Sequence, residues 1–194
     1  MRWIILLRGV NVGHTKRIRM ADLANMLAAI GCTDIRTYLQ SGNAVVDTEL
    51  SEAELCEKLK TALAETVGFE CGVVVRNSAD MRRVAEELPF GAEAISQAET
   101  ADPDVEHLHV YFLASAPDRK ALEVLARDAE AGDVFKTGAR ELYLLSLRSV
   151  RLSKTAIRIA KLFPDATARN WRTVTQLAVM GSEPDPDSTK RMPL

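Results

Sequence analysis

The chain is short of cysteine, of aromatic residues and of net charge, and each shortage removes a class of function. Its three cysteines, Cys32, Cys56 and Cys71, are odd in number and lack CxxC spacing. With no export signal, the expectation is free cytosolic thiols rather than a disulfide framework or a zinc site. Aromatic residues are 5% of the chain. A sheet that stacks RNA bases needs exposed aromatics on its central strands, and Ile4–Leu7 and Ala44–Val46 offer none. Twenty-five basic residues against 27 acidic ones give a net charge of −2, so no global field draws the protein to nucleic acid or to a membrane. No apolar run approaches the roughly 20 residues of a membrane span. The opening Met1–Arg8 has only five apolar residues in a row before a charge, too short for a signal-peptide core, and it predicts a strand.

What is present reads as an ordinary globular domain: 194 residues, 47% hydrophobic and 27% charged, enough to bury a substantial core. Trp3–Leu7 is a continuous apolar run, the pattern of a strand buried on both faces. Leu23, Met26, Leu27 and Ile30 recur at helical spacing and Gly31 stops them. Ile35–Leu39 predicts a strand, turned by Ser41-Gly42-Asn43 into Ala44–Val46. Ser51 with Glu54 forms a capping box, so a helix starts there and carries Leu55, Leu59, Leu63 and Val67 inward to Gly68. Val73–Val75 is the next strand, and a connecting helix with Met81, Val84 and Leu88 runs to Pro89. The second half repeats the order without repeating the letters. Leu108–Leu113 predicts a strand; a helix follows Pro117-Asp118; Asp133–Thr137 and Leu142–Leu147 make a hairpin. Ser153 caps a helix, a short strand lies near Ala166–Ala168, and Asn170 caps a last helix with Trp171, Val174 and Leu177.

The fold expected is therefore α+β: two ferredoxin-like β-α-β-β-α-β halves packed into one compact body. The predicted divisions are an N-terminal half over 1–90, an acidic and irregular linker over 91–104, a C-terminal half with the final helix over 105–181, and a flexible tail over 182–194. Strands that are apolar on both faces need a second cover, and the other half of the chain is the simplest one.

Three separated motifs carry a resemblance. They are Leu6-Leu7-Arg8-Gly9-Val10-Asn11-Val12-Gly13 with Met20-Ala21-Asp22-Leu23 behind it, Arg36-Thr37-Tyr38-Leu39-Gln40-Ser41-Gly42-Asn43, and Ala166-Thr167-Ala168-Arg169-Asn170-Trp171-Arg172-Thr173-Val174. Together, from Ile4 to about Met180, the chain resembles the domain-of-unknown-function 1697 family. His14 stands where that family usually has a second glycine, and Ser153-Lys154-Thr155 where it has Ser-Lys-Leu. The family has no agreed activity, so the resemblance implies a fold and no chemistry.

The candidate sites are two acid-poor basic segments. The loop from Arg8 to Arg19 holds Arg8, His14, Lys16, Arg17 and Arg19, with Gly9 and Gly13 free to bring backbone N–H groups against an anion. By topology the end of the first strand lies beside the Ser41-Gly42-Asn43 turn, so Arg8, Asn11, Gly13, Lys16, Ser41 and Asn43 form one patch. The second segment runs from Arg148 to Arg172, with Arg148, Arg151, Lys154, Arg158, Lys161, Arg169 and Arg172 against the single acid Asp165. There two helix N-termini, at Ser153 and Asn170, are expected at one end of a sheet with Lys154, Arg169, Asn170 and Arg172 around them. The plainer reading of both is a solvated basic surface and a good turn. His107 and His109 share a strand face, yet no third ligand accompanies them and no metal is expected. Asp22, Asp34 and Asp47 all have structural explanations, which leaves no clear general base, and no cofactor motif is present.

The function expected is binding of a phosphate- or carboxylate-bearing ligand, such as a nucleotide, a metabolite or a nucleic-acid end, in a cytoplasmic protein without a membrane partner. The rivals are an enzyme acting on such a ligand and a protein-interaction module with an acidic partner. Nucleic acid is the weaker partner, and the ligand and oligomeric state are left open.

Overall fold

The computed structural model describes residues 1–13 and 16–183. By internal packing the described chain divides into two units, one made of Met1–Ala85 with the residues from Thr175 onward, the other of Glu86–Val174.

In the first unit the apolar opening run forms β1 (Arg2–Arg8), followed by α1 (Met20–Ala29), β2 (Thr33–Tyr38), β3 (Asn43–Asp47), α2 (Glu52–Val67), β4 (Gly72–Asn77) and α3 (Ser78–Glu86). The sheet order is β2-β3-β1-β4 with every neighbour antiparallel, the arrangement that a split β-α-β motif takes. Trp3 through Leu7 are all buried. Trp3, Ile5 and Leu7 point to one side and share a core with Leu23 and Leu27 of α1 and Leu55, Leu59 and Leu63 of α2. The capping box is formed: Ser51 Oγ accepts from the Glu54 N–H, and the Glu54 carboxylate accepts from the Ser51 N–H.

The second unit contains α4 (Ala92–Ala101), β5 (Leu108–Phe112), α5 (Arg119–Asp128), β6 (Val134–Thr137), β7 (Glu141–Leu145), α6 (Lys154–Leu162) and β8 (Thr167–Asn170). Its order, β6-β7-β5-β8, repeats the first sheet strand for strand and is again antiparallel. Tyr111, Leu142 and Leu144 meet Leu125 of α5 and Ala156 and Ile159 of α6 in one core.

Residues 91–104 depart from the expectation of irregular chain. Ten of them form α4, whose Ala98 is buried against Leu108 and Leu145. Alanine supplies strong helix propensity but a weak hydrophobic signature, so the helix does not announce itself by periodicity. A second cover appears in the first unit. The last helix, α7 (Trp171–Ser182), passes from one unit into the other, and its Gly181 lies so close to Ile4 on the far face of β1 that an added Cβ would stand 3.0 Å from Ile4 Cδ1. Ile4 is fully buried. The carboxyl end of α7 is held by arginines of the first unit: Arg36 donates to Met180 O at 2.9 Å, and Arg2 donates to Glu183 O. Of the predicted tail, only Ser182 and Glu183 fall within the described residues.

Candidate functional site

At the end of the first sheet, β1 and the β2–β3 turn come together as topology requires. Leu6 is opposite Asn43, and the Leu7 N–H donates to Gly42 O at 2.8 Å. Gly42 has φ +76°, and a Cβ there would stand 2.6 Å from Val10 Cγ2. Only glycine lets the turn lie this close to the loop. The loop is then pinned by Asn11, itself at φ +57°. Its Nδ2 donates to Ile18 O at 2.8 Å and to Gln40 O at 2.7 Å, while Oδ1 accepts from the Ile18 N–H at 2.9 Å. Asn43 is fully buried, donating to Tyr38 O at 2.8 Å and to Ser41 Oγ at 3.0 Å. The motif asparagines and Ser41 are thus engaged in holding loop and turn together.

The loop cations divide. Arg19 makes a two-pronged pair with Asp22 at 2.7 and 2.8 Å, and Asp22 is held below the usual carboxylate range by that hydrogen bond. Lys16 donates to Glu70 O at 3.2 Å and lies over the Phe69 ring. Arg8 is half-buried and Arg17 exposed, and among the described residues neither side chain has a hydrogen bond or ion pair. Gly13 is exposed; His14 lies outside the described residues. Two of the remaining acids, Asp34 and Asp47, are paired with Arg2 at 2.7 Å each, and the hydrogen bond from Arg2 keeps Asp47 low.

The second segment is acid-poor only along the sequence. Ser153 caps α6 by accepting from the Ala156 N–H and donates its own hydroxyl to Asp133 at 2.6 Å. The Lys154 N–H donates to the Glu130 carboxylate at 3.0 Å, and the Glu130 N–H donates to Thr155 Oγ1 at 2.9 Å. Two carboxylates from the α5–β6 connection therefore occupy the helix N-terminus where an external anion was expected. The hairpin predicted over 133–147 contained the signal: its first strand must begin where its second ends, and α6 starts from that same end. Asn170 caps α7 by accepting from the Thr173 N–H at 2.9 Å. Arg169 is buried opposite Val110 and donates to Ala168 O at 2.8 Å. Arg172 is exposed and has interactions within the protein. The Lys154 ammonium is exposed.

The two histidines are also explained locally. His107 is buried, with Nδ1 2.6 Å from Ser146 O and Nε2 2.8 Å from Asp102 O. His109 Nδ1 is buried without a partner, and burial, then the nearby His107, lowers its pKa to about 4. Among the described residues no group of three or more His, Cys, Asp or Glu side chains is placed to hold a metal ion. Cys32, Cys56 and Cys71 are free thiols, and burial raises the pKa of Cys32. No helix of the described residues is long and apolar enough to cross a membrane.

Comparison with known proteins bears on the fold and the family. The conserved bacterial protein SP0830 from Streptococcus pneumoniae superposes with a TM-score of 0.71 at 24% identity, over 93% of this chain and 98% of that one. That likeness is one of fold. No curated protein matches the chain. A family profile, described as a protein of unknown function, matches residues 1–143, which include the first two motifs but not the one at 166–174. That match spans well over half of the sequence, and the chain belongs to the DUF1697 family.

Proposed function

We propose that the protein binds a small phosphate- or carboxylate-bearing ligand at the loop end of its first unit. One observation carries the reading: the Arg8 and Arg17 side chains have no partner among the described residues, Arg8 at the end of β1 and Arg17 beside Ile18, which Asn11 ties down. A guanidinium beside a tied-down stretch of backbone loses little freedom when it takes up an anion, and each charge-assisted hydrogen bond to it contributes about 1.5–3 kcal/mol. Lys16, steadied by Glu70 and Phe69, adds positive charge beside them, and the exposed Gly13 leaves room for close approach. Glu130 and Asp133 already fill the helix N-terminus near Lys154, so the reading is confined to the first unit. The free thiols suit a reducing, cytoplasmic setting.

The test is thermal stabilisation by a panel of inorganic phosphate, pyrophosphate, nucleoside mono- and triphosphates, citrate and a 5′-phosphorylated oligonucleotide beside its unphosphorylated form. Ligand at a hundred times Kd stabilises by about 2.7 kcal/mol. Arg8→Ala and Arg17→Ala should each weaken binding roughly ten- to a hundredfold, and Arg82→Ala, an exposed surface change, should leave it intact. Equal effects from all three changes would reduce the reading to diffuse surface charge. Turnover of the bound compound would distinguish an enzyme from a binder.

A further inference from the structure

The connection from β7 to α6 presents side chains that neither the core nor the anion reading uses. It is a fixed platform. Ser146 is fully buried, its hydroxyl donates to Arg148 O at 2.7 Å, and its N–H donates to His107 O at 3.0 Å. The Leu152 N–H donates to Ser149 O at 2.8 Å, and Ser153 is tied to Asp133. This platform holds Leu147 40% exposed and Leu152 70% exposed, with Ile157 49% exposed on the first turns of α6. Leu152 precedes the Ser153 cap and Ile157 is the fourth helical residue, the two positions that a hydrophobic staple brings side by side. Around them Arg148, Arg151, Lys154 and Lys161 are exposed, and among the described residues none of the four side chains has an ion pair. Arg158 pairs with Asp128 at 3.1 Å. No acid occurs from Ser146 to Pro164.

We infer that this surface docks an acidic, aliphatic-rich peptide segment of a partner protein. Charge complementarity calls for carboxylates over the four cations, and the exposed leucines and isoleucine call for apolar side chains among them. A phosphate polymer fits less well. The three apolar side chains are aliphatic rather than stacking aromatics, and the Glu130 and Asp133 carboxylates beside the α6 N-terminus repel a continuous line of phosphates. A bilayer surface meets the same two carboxylates, and the patch lacks the tryptophan and phenylalanine that anchor interfacial surfaces. A peptide can place its acids selectively. Because the platform is already ordered, docking on it loses little conformational freedom.

The experiment is fluorescence anisotropy with a labelled synthetic peptide of mixed glutamate and leucine, a glutamate–serine peptide of equal charge, labelled oligothymidylate, and phosphatidylserine-containing vesicles. Saturable, salt-sensitive binding of the glutamate–leucine peptide is expected. Leu152→Ser with Ile157→Ser, and separately Arg151→Glu, should each weaken it at least about tenfold, while Arg82→Ala, an exposed surface change, should leave it unchanged. Should the staple change lower the melting temperature, Arg148→Glu with Arg151→Glu decides alone. Equal binding of the glutamate–serine peptide, tighter binding of the oligonucleotide or vesicles, or no binding at millimolar peptide overturns the inference.

Discussion

Asn11 joins three chain segments through one side chain, and its removal tests whether the loop depends on it. Asn11→Ala deletes the bonds to Ile18 and Gln40 and places a Cβ-bearing residue without a local hydrogen bond at φ +57°. The expected loss is roughly 2–4 kcal/mol in urea unfolding, and a change under about 0.5 kcal/mol would show that the clamp is dispensable. Gly42→Ala should be at least as damaging, since both conformation and the contact with Val10 oppose it. His109 sets a pH dependence of definite sign. Its folded pKa of about 4 lies below the ordinary histidine value of 6.5, so the unfolded chain takes up its proton first. The contribution is complete above pH 6.5, declines as pH falls through that value, and levels off near 4. The stability difference between pH 7.5 and 4.5 should shrink by roughly 2 kcal/mol in His109→Leu. An unchanged pH profile would mean that burial does not lower the His109 pKa in the fold. The histidine pattern was visible in the sequence, but the burial that decides its charge was not.

Among the elements, those with caps and dense periodicity were legible. Ser51 and Glu54 announced α2, Ser153 announced α6 and Asn170 announced α7, because each cap acts over three residues of local chain. The helix α4 was hidden by its alanines, and its burial depends on Leu108 and Leu145 in separate strands. At α6 the cap residue was legible, while the carboxylates that share its N-terminus came from another connection. Ser153→Ala removes both the cap and the partner of Asp133, and should cost about 1–2 kcal/mol in denaturant unfolding. For the strands, Leu6 is fully buried, so Leu6→Ala should cost about 2–5 kcal/mol. A smaller loss would place that side chain near the surface.

For the whole molecule, the near balance of charge conceals a strongly uneven distribution, with acid-free runs beside acidic helices. Such runs pointed to two surfaces, and the folded chain neutralised parts of each: Arg19 by Asp22 and Arg158 by Asp128. The chain ends also matter to the whole. A protein ending at Val174 loses the helix residues against Ile4 and the acceptors of Arg36 and Arg2 in the first unit. It should unfold at lower urea, by at least about 2 kcal/mol for the exposed isoleucine and the lost arginine hydrogen bonds to the end of α7. An unchanged midpoint would show that the carboxyl end of α7 contributes nothing.

By itself the sequence determined where the capped or strongly periodic helices and strands form and in what order, because periodicity, caps and turn glycines act between near neighbours. It also carried the family resemblance in its motifs. Only the tertiary structure decided which polar groups remain for function. Asn11 meets Gln40, Glu130 meets Lys154, and Arg36 meets Met180 across 144 residues of chain. Hydrogen-bond donors and acceptors carry no mark in the sequence of the distant partner that will satisfy them. Whether a motif residue is a ligand group or a structural clamp is therefore settled by the packing of segments that the sequence keeps apart.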